Sequence, residues 1–281
     1  MVQGDTTTAM CGASAAFYRK IKIAHVEAGL RTHDIYSPFP EEFNRVVISK
    51  IANLHFASTG LAKQNLLDEK VDDNIIYVTG NTVIDALFYT RARIGNKPTE
   101  IRLSNWIFNA NRKMILITGH RRENFGSGFE NICEAIRKLS QKYIQVDFVY
   151  PVHLNPNVQE PVNRLLSGLP NVFLCPPVDY VTFTGLMECA TIILTDSGGV
   201  QEEAPSLGKP VLVMRNTTER PEAVSAGAAR LVGVDKDNIF ENVCELIEDH
   251  QIYTAMSQVS NPFGDGHASE RIVSHIQNYF R

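Results

Sequence analysis

The sequence lacks the marks of several protein classes. Its five cysteines, Cys11, Cys133, Cys175, Cys189 and Cys244, form no C-x-x-C pair. Neither a disulfide frame nor a zinc site is indicated, and the thiols are expected in the core. No apolar run approaches the roughly 20 residues that cross a bilayer, and the amino end has no charged-then-apolar leader pattern. The expected location is the cytoplasm, with no membrane partner. Charge of one sign is also missing: 27 Lys and Arg against 31 Asp and Glu leave a net −4. With basic residues only singly or in pairs, nucleic acid is excluded as a partner. Low-complexity tracts and short-period repeats are absent. What remains is 44% hydrophobic and 21% charged over 281 residues, an ordinary globular composition longer than one domain core requires.

Short β-branched runs alternate with amphipathic stretches, the pattern of a parallel sheet covered by helices on both faces. In the second half the expected strands are 114–118, 145–150, 171–175, 191–195, 210–214 and 229–234. Helices are expected near 127–141, 155–168, 179–190, 199–207, 222–227 and 238–258, which together make a Rossmann-like domain. The first half offers strands at 21–26, 53–57 and 75–79, with helices near 6–19, 41–51 and 59–70. Met1-Val2-Gln3 before Gly4-Asp5-Thr6 reads as a strand end, a turn and a helix cap, so the first domain is expected to be incomplete at its amino end. The expected division is 1–81, 82–262, and a helix within 263–281 returning to the first domain, with the crossing at Asn81 to Leu87.

The most informative segment is Thr191 to Glu222, read as buried strand, Asp196-Ser197-Gly198-Gly199 turn, short helix and second strand. Such a turn aims backbone N–H groups and the positive end of the helix dipole at an anion, and its glycines admit close approach. Ser197 adds a hydroxyl. Glu202 and Glu203 place carboxylates suited to sugar hydroxyls on the same helix. The plainer alternative is a Ser N-cap followed by acidic residues in the first turns.

Further motifs lie at strand ends, where open α/β sheets bind ligands. Asp5 and Glu27, in Gly4-Asp5 and His25-Val26-Glu27-Ala28-Gly29-Leu30-Arg31, are placed to face one crevice as a proton-transfer pair. Alternatively, Asp5 caps a helix and Glu27 pairs with Arg31. Glu42, in the first turn of its helix, reads as a complement to the helix dipole. His120, between Gly119 and Arg121-Arg122, suits anion handling, or a solvated surface loop. Arg220 follows the strand after the Asp196-Ser197-Gly198-Gly199 turn and its helix, which together form an anion cradle, and His153 ends another strand with a structural role open to it.

Gly4-Asp5-Thr6-Thr7, His25 to Arg31, Pro40-Glu41-Glu42 with Asn44-Arg45, Thr118 to Glu123, Asp196 to Pro205 and Thr218 to Glu222 closely resemble the non-hydrolysing bacterial UDP-N-acetylglucosamine 2-epimerases, in that family's order and along the whole chain. The resemblance implies a glycosyltransferase-B-like α/β fold, two Rossmann-like domains with the active site in their cleft, a homodimer, and no metal or nicotinamide cofactor. It implies interconversion of UDP-GlcNAc and UDP-ManNAc through elimination of UDP to 2-acetamidoglucal and re-addition, for surface polysaccharide precursors. By motif match, Asp5, Glu27 and Glu41 carry the proton transfers or orient the residues that do, and His120 assists UDP departure. Ser197, Gly198 and Gly199 would bind the diphosphate, Glu203 the ribose, Arg220 the phosphates or sugar, and the 178–183 segment with Phe183 the uracil, Val178 through its backbone. Arg121 and His153 match in part the site of a second, activating UDP-GlcNAc. Family members begin with a strand and a Gly-Thr-Arg-Pro-Glu turn, in a segment of roughly 90 residues at ordinary βα lengths that this sequence does not contain. Two other readings stay open: a hydrolysing epimerase or glycosyltransferase relative, and a truncated UDP-sugar-binding protein without turnover.

Overall fold

The computed structural model describes residues 1–95, 102–103 and 106–281. Cα packing divides the chain into two units, Met1–Ala86 with Pro262–Arg281, and Leu87–Asn261.

The first unit holds one parallel sheet in spatial order β1-β2-β3-β4: β1 Val2–Gln3, β2 Ala24–Ala28, β3 Leu54–Ala57 and β4 Ile76–Val78. Strand β2 starts later than the expected 21–26. Lys20, in the left-handed region at φ 57, closes the preceding helix, Thr7–Tyr18, and the Ile21 N–H donates back to the Ala16 carbonyl. Ile21 therefore serves helix termination rather than the sheet. The Thr6 hydroxyl caps that helix by accepting from the Ala9 N–H at 3.2 Å, so Asp5 is not the cap. Cys11, on the same helix, is exposed, contrary to the expectation that every thiol is buried. Over the sheet lies the Ala268–Tyr279 helix, whose first N–H groups, from Ala268 and Ser269, are bound by the Asp85 carboxylate at 3.1 and 2.7 Å. Its Ile272 packs with Val26, Leu54 and Phe56.

The second unit holds a six-stranded parallel sheet and a small antiparallel pair, β5 Arg102–Leu103 with β6 Trp106–Ile107, which the sequence did not suggest. The strands of the large sheet are β7 Met114–Thr118, β8 Asp147–Pro151, β9 Val172–Cys175, β10 Ile192–Thr195, β11 Val211–Val213 and β12 Ala229–Leu231. Their order is β12-β11-β10-β7-β8-β9. Numbered within the sheet this is 6-5-4-1-2-3, the doubly wound order whose direction of winding reverses between the first and fourth strands, here β7 and β10. The sheet is apolar on both faces because helices cover both. Phe129, Ile132, Cys133, Ala135, Ile136 and Leu139 recur at helical spacing along Ser127–Lys142 and pack on Ile115, Ile117, Phe148 and Tyr150. Each buried Leu, Ile or Phe among them contributes about 1.5–3 kcal/mol.

One expected helix needs correction. Residues expected as one helix over 238–258 form two, Lys236–Glu248 and His250–Ser257. The break falls at Asp249, whose carboxylate accepts from the Gln251 and Ile252 N–H groups and starts the second helix. The stretch from Asn81 to Leu87 runs into a helix, Thr82–Ile94, which buries Ile84 and Leu87 one turn apart.

Candidate functional site

In the first unit the candidate residues gather at the carboxyl ends of β1 and β2. Parallel pairing sets Gln3 beside Val26, so the turns at Gly4-Asp5 and at Glu27 leave adjacent strands together. The β2–β3 register shifts between Val26 and Ala28, and Glu27, in that irregularity, has φ 65. A non-glycine residue there is held by its surroundings at a cost of about 1–2 kcal/mol. The strained residue carries a proposed base. Its carboxylate lies 3.5 Å from the Asn81 side-chain amide and packs over Gly4, where an added Cβ would stand 3.2 Å from Oε2.

Asp5 is bound by the helix Glu41–Ile51. Arg45 reaches Asp5 Oδ2 from Nε at 2.9 Å and from its terminal nitrogen at 2.7 Å, while Asn44 donates to the Asp5 carbonyl at 2.7 Å. Glu41 opens that helix, half-buried, and its carboxylate makes no hydrogen bond or ion pair among the described residues. Glu42 is 2% exposed. Its carboxylate accepts from the Thr32 and His33 N–H groups, each at 3.1 Å, and from Arg45 at 2.8 Å. Glu42 is thus a buried clamp on the 32–33 loop and does more than complement a dipole. The alternative of a Glu27–Arg31 pair is not what Arg31 does: it binds Glu69 at 2.6 and 3.0 Å, the Ser49 hydroxyl and the Leu30 carbonyl. Next to it Gly29, at φ 91, has no room for a side chain, because a Cβ would lie 2.0 Å from the Ala62 carbonyl oxygen.

In the second unit the candidates collect where β7 and β10 meet. The hydroxyls of Thr118 and Thr195 join the two strand ends at 2.8 Å. Beyond them Asp196, with no exposed surface, accepts from the His120 and Arg121 N–H groups on Oδ2 at 2.8 and 2.9 Å. His120 Nδ1 lies 3.3 Å from Oδ1. The His120 and His153 rings stack with centroids 5.6 Å apart.

Ser197 occupies the N-cap position of the Gly198–Glu203 helix, yet its side chain makes no capping hydrogen bond. The plainer reading of Ser197 as an ordinary cap therefore fails for its hydroxyl. An added side chain at Gly198 would meet the Arg220 guanidinium at 3.5 Å, whereas one at Gly199 would touch only the Ser197 hydroxyl. Main chain is open to an anion there, with a guanidinium alongside. Arg220 is itself nearly buried and binds Glu202 at 2.6 Å, so it also maintains this helix. Arg121 approaches the Asp196 carbonyl and Glu219, both at 3.4 Å. Burial opposes ionisation of Glu219, but Arg215 and Arg220 outweigh it and hold the carboxyl down at about 2.

Glu203 differs from that pattern. Burial pushes its carboxyl up to about 7, against the opposing Tyr180 hydrogen bond and with a further contribution from Glu202. Tyr180 opens the Tyr180–Cys189 helix and donates its hydroxyl to Glu203, which ties the 178–183 segment to the cradle helix. Val178 and Phe183 are half-buried in the same segment. Sequence reasoning passed over Asp196, Tyr180 and the role of Arg45. Tyr180 gave no signal, and the other two act through residues distant in the chain. Among the described residues no group of three or more His, Cys, Asp and Glu side chains gathers as a metal-ligand set.

Residues 1–277 match the family of UDP-N-acetylglucosamine 2-epimerase. The UDP-N-acetylglucosamine 2-epimerases of Yersinia pestis and Escherichia coli K12 are 54% and 53% identical over 99% of this chain, and the chain spans 75% of each. Among solved structures, the Neisseria meningitidis UDP-GlcNAc 2-epimerase bound to UDP-GlcNAc superposes with a TM-score of 0.93 at 49% identity, over 99% of this chain and 75% of that one. The Methanocaldococcus jannaschii enzyme in complex with UDP-GlcNAc and UDP gives 0.80 at 36%, with the same coverage. The expected glycosyltransferase-B-like α/β fold is that of these neighbours. On this match the chain belongs to the UDP-N-acetylglucosamine 2-epimerase family.

Proposed function

We propose that this chain interconverts UDP-GlcNAc and UDP-ManNAc, with its two units dividing the chemistry. The observation that carries this reading is the position of the required groups. Carboxylates in the first unit, and an anion-receiving turn with a histidine in the second, leave their sheets on the edge where open α/β folds bind ligands.

A carboxylate of the set Asp5, Glu27 and Glu41 removes the C2 proton. The C–H electron pair forms the C1=C2 bond of 2-acetamidoglucal as the C1–O bond breaks and its electrons leave with the β-phosphate of UDP. Ser197 and the Gly198-Gly199 backbone receive that charge, with Arg220 beside them and His120 assisting departure, which lowers the barrier by stabilising the leaving group. Re-addition of UDP with protonation from the opposite face completes inversion at C2. Arg45 keeps Asp5 oriented. Glu203 takes the ribose hydroxyls once Tyr180 yields its place, and Val178 and Phe183 border the uracil.

The same reading extends to a cytoplasmic homodimer supplying surface polysaccharide synthesis, with a second UDP-GlcNAc near Arg121 and His153 as activator. It rests on the family's pattern and on the His120–His153 stack. Turnover in heavy water tests the chemistry: UDP-ManNAc formed by this route carries deuterium at C2. Epimerised product without deuterium would exclude proton abstraction there, and stoichiometric free ManNAc with UDP would instead indicate a hydrolysing enzyme.

A further inference from the structure

The two oxygens of Asp196 are used unequally. Oδ2 accepts from the His120 and Arg121 N–H groups and, at 3.4 Å, from the Asn124 amide, while the Asp196 N–H donates to the Thr118 carbonyl at 3.1 Å. The carboxylate is thereby fixed in orientation across the ends of β7 and β10. Oδ1 is equally buried and has no hydrogen bond of good geometry. What faces it is the His120 imidazole, with Nδ1 at the ion-pair distance of 3.3 Å. A buried carboxylate oxygen without a donor has given up its solvation with nothing in return, and a proton on Nδ1 supplies the missing donor. Burial favours the neutral acid, yet the His120 ring and the two backbone N–H groups outweigh it and keep Asp196 below the usual carboxylate range. The His120 side chain, in contrast, is 42% exposed and can be reached by a ligand.

We infer that Asp196 is the positioning residue of His120, holding the imidazole with its proton on Nδ1 so that Nε2 is the nitrogen turned to the departing diphosphate. The inference rests on the place given to His120 in the reaction above. With Nε2 bare in the resting ring, His120 takes a proton from solvent at Nε2 before UDP leaves, donates Nε2–H to the departing phosphate oxygen as a hydrogen bond, and keeps its orientation through Nδ1–H. The neighbouring ring supplies an internal contrast. His153 Nδ1 accepts from the Asn155 N–H at 3.1 Å, so its neutral form carries the proton on Nε2.

Asp196→Asn separates positioning from loop support. The backbone N–H groups of His120 and Arg121 need an acceptor, so the asparagine oxygen takes the place of Oδ2 and its NH2 group faces Nδ1. The loop clamp survives while the imidazole is driven to the Nε2–H tautomer. The same exchange in a protease triad lowers kcat about 10⁴-fold for this reason. Long-range ¹H–¹⁵N correlation spectra, with His120→Gln to identify the signals, read the tautomer directly in the neutral ring. Expected are Nδ1–H for His120 in the unaltered protein, Nε2–H in Asp196→Asn, and a kcat lower by about 10²–10⁴-fold with KM little changed. An Nε2–H tautomer in the unaltered protein overturns the inference without need of any variant, and so does an unchanged tautomer in Asp196→Asn. A switched tautomer with undiminished turnover would instead leave the pairing in place and remove His120 from the reaction.

Discussion

The two units bring their candidate groups to the same edge of a parallel sheet but hold them differently. In the second unit a continuous apolar core, from Ile115 and Ile117 through Phe148 and Tyr150 to Ile192 and Leu194, underlies the site, and the loops above it are fixed by one buried carboxylate, Asp196. In the first unit the buried apolar side chains fall into small groups. There the site edge is secured by ion pairs made by two buried arginines: Arg31 with the partly exposed Glu69, and Arg45 with the partly exposed Asp5 and the buried Glu42. A packed foundation tolerates loss of one surface contact. A buried ion network does not, because each partner removed leaves another charge without compensation.

The division of labour itself should give the largest effect. Glu27→Gln keeps size and hydrogen bonding but removes a base, and turnover is expected to fall by 10²–10⁴-fold with UDP affinity unchanged in calorimetry. Ser197→Ala should do the reverse, weakening UDP by about 10–100-fold, as loss of a hydrogen bond to a charged group implies. Its hydroxyl caps nothing, so the fold should not suffer. Arg220→Ala is a poorer probe because it also deprives Glu202 of its partner. Equal losses of UDP affinity in Glu27→Gln and Ser197→Ala would erase the distinction between the units.

The ion network comes next. Arg45→Ala strips Glu42 and Asp5 of their shared cation, and the first unit is expected to lose about 3–5 kcal/mol. Hydrogen exchange should show that loss in the 1–86 segment, with the amides of β7 and β10 protected as before. Loss of protection spread evenly over both sheets would argue against separate foundations.

A somewhat smaller, pH-dependent effect is expected at Glu203. Its folded pKa of about 7 lies above the ordinary value of about 4.3, so between those values the folded state holds the extra proton. Stability is therefore full at low pH and falls as pH rises through that window, by about 4 kcal/mol in all. Glu203→Gln removes the titration while still accepting from Tyr180. Urea unfolding should find variant and parent nearly equal at pH 5 and the variant more stable at pH 8, with UDP bound less well. A difference that does not change with pH would contradict the buried, neutral carboxyl.

The smallest shift concerns strain. Glu27→Gly relieves the φ of 65 at β2, and net of glycine's greater unfolded-state entropy the gain is about 1 kcal/mol or less. A small rise in Tm accompanied by loss of turnover would show that the first unit gives up stability to aim a carboxylate. A fall in Tm would mean that the Glu27 side-chain contacts outweigh the backbone cost.

Much of this architecture was legible in the sequence because parallel strands buried on both faces read as β-branched runs. The β7, β8 and β10 segments lie within a residue or two of expectation, while the helix expected over 199–207 is an α-helix only to Glu203 and tightens to a 3-10 turn over Ala204–Leu207. The misplacements have local causes: Ile21 is apolar but closes a helix, and Asp249 starts a new helix inside an amphipathic run. The site was legible only in part. Motif spacing exposes Glu27, His120 and the Ser197-Gly198-Gly199 turn, since each belongs to a contiguous strand-end signature. It cannot show that Arg45 grips Asp5 from 40 positions away, or that Asp196 holds the backbone of residue 120, 76 positions away. Those contacts exist only after the strands have paired.

The link between Thr118 and Thr195 spans 77 positions, and it carries a consequence for the order in which the protein acquires its binding edge. Contacts so far apart in sequence are slow to form, because chain must be looped before any of them is gained. As the second unit leaves the ribosome, β7, β8 and β9 can assemble while the cradle does not yet exist. It appears only when β10 inserts beside β7, at the reversal of winding. Nucleotide binding by this unit is therefore expected to report completion of the central strand pair, and a nascent chain ending before residue 191 should be folded in part yet blind to UDP.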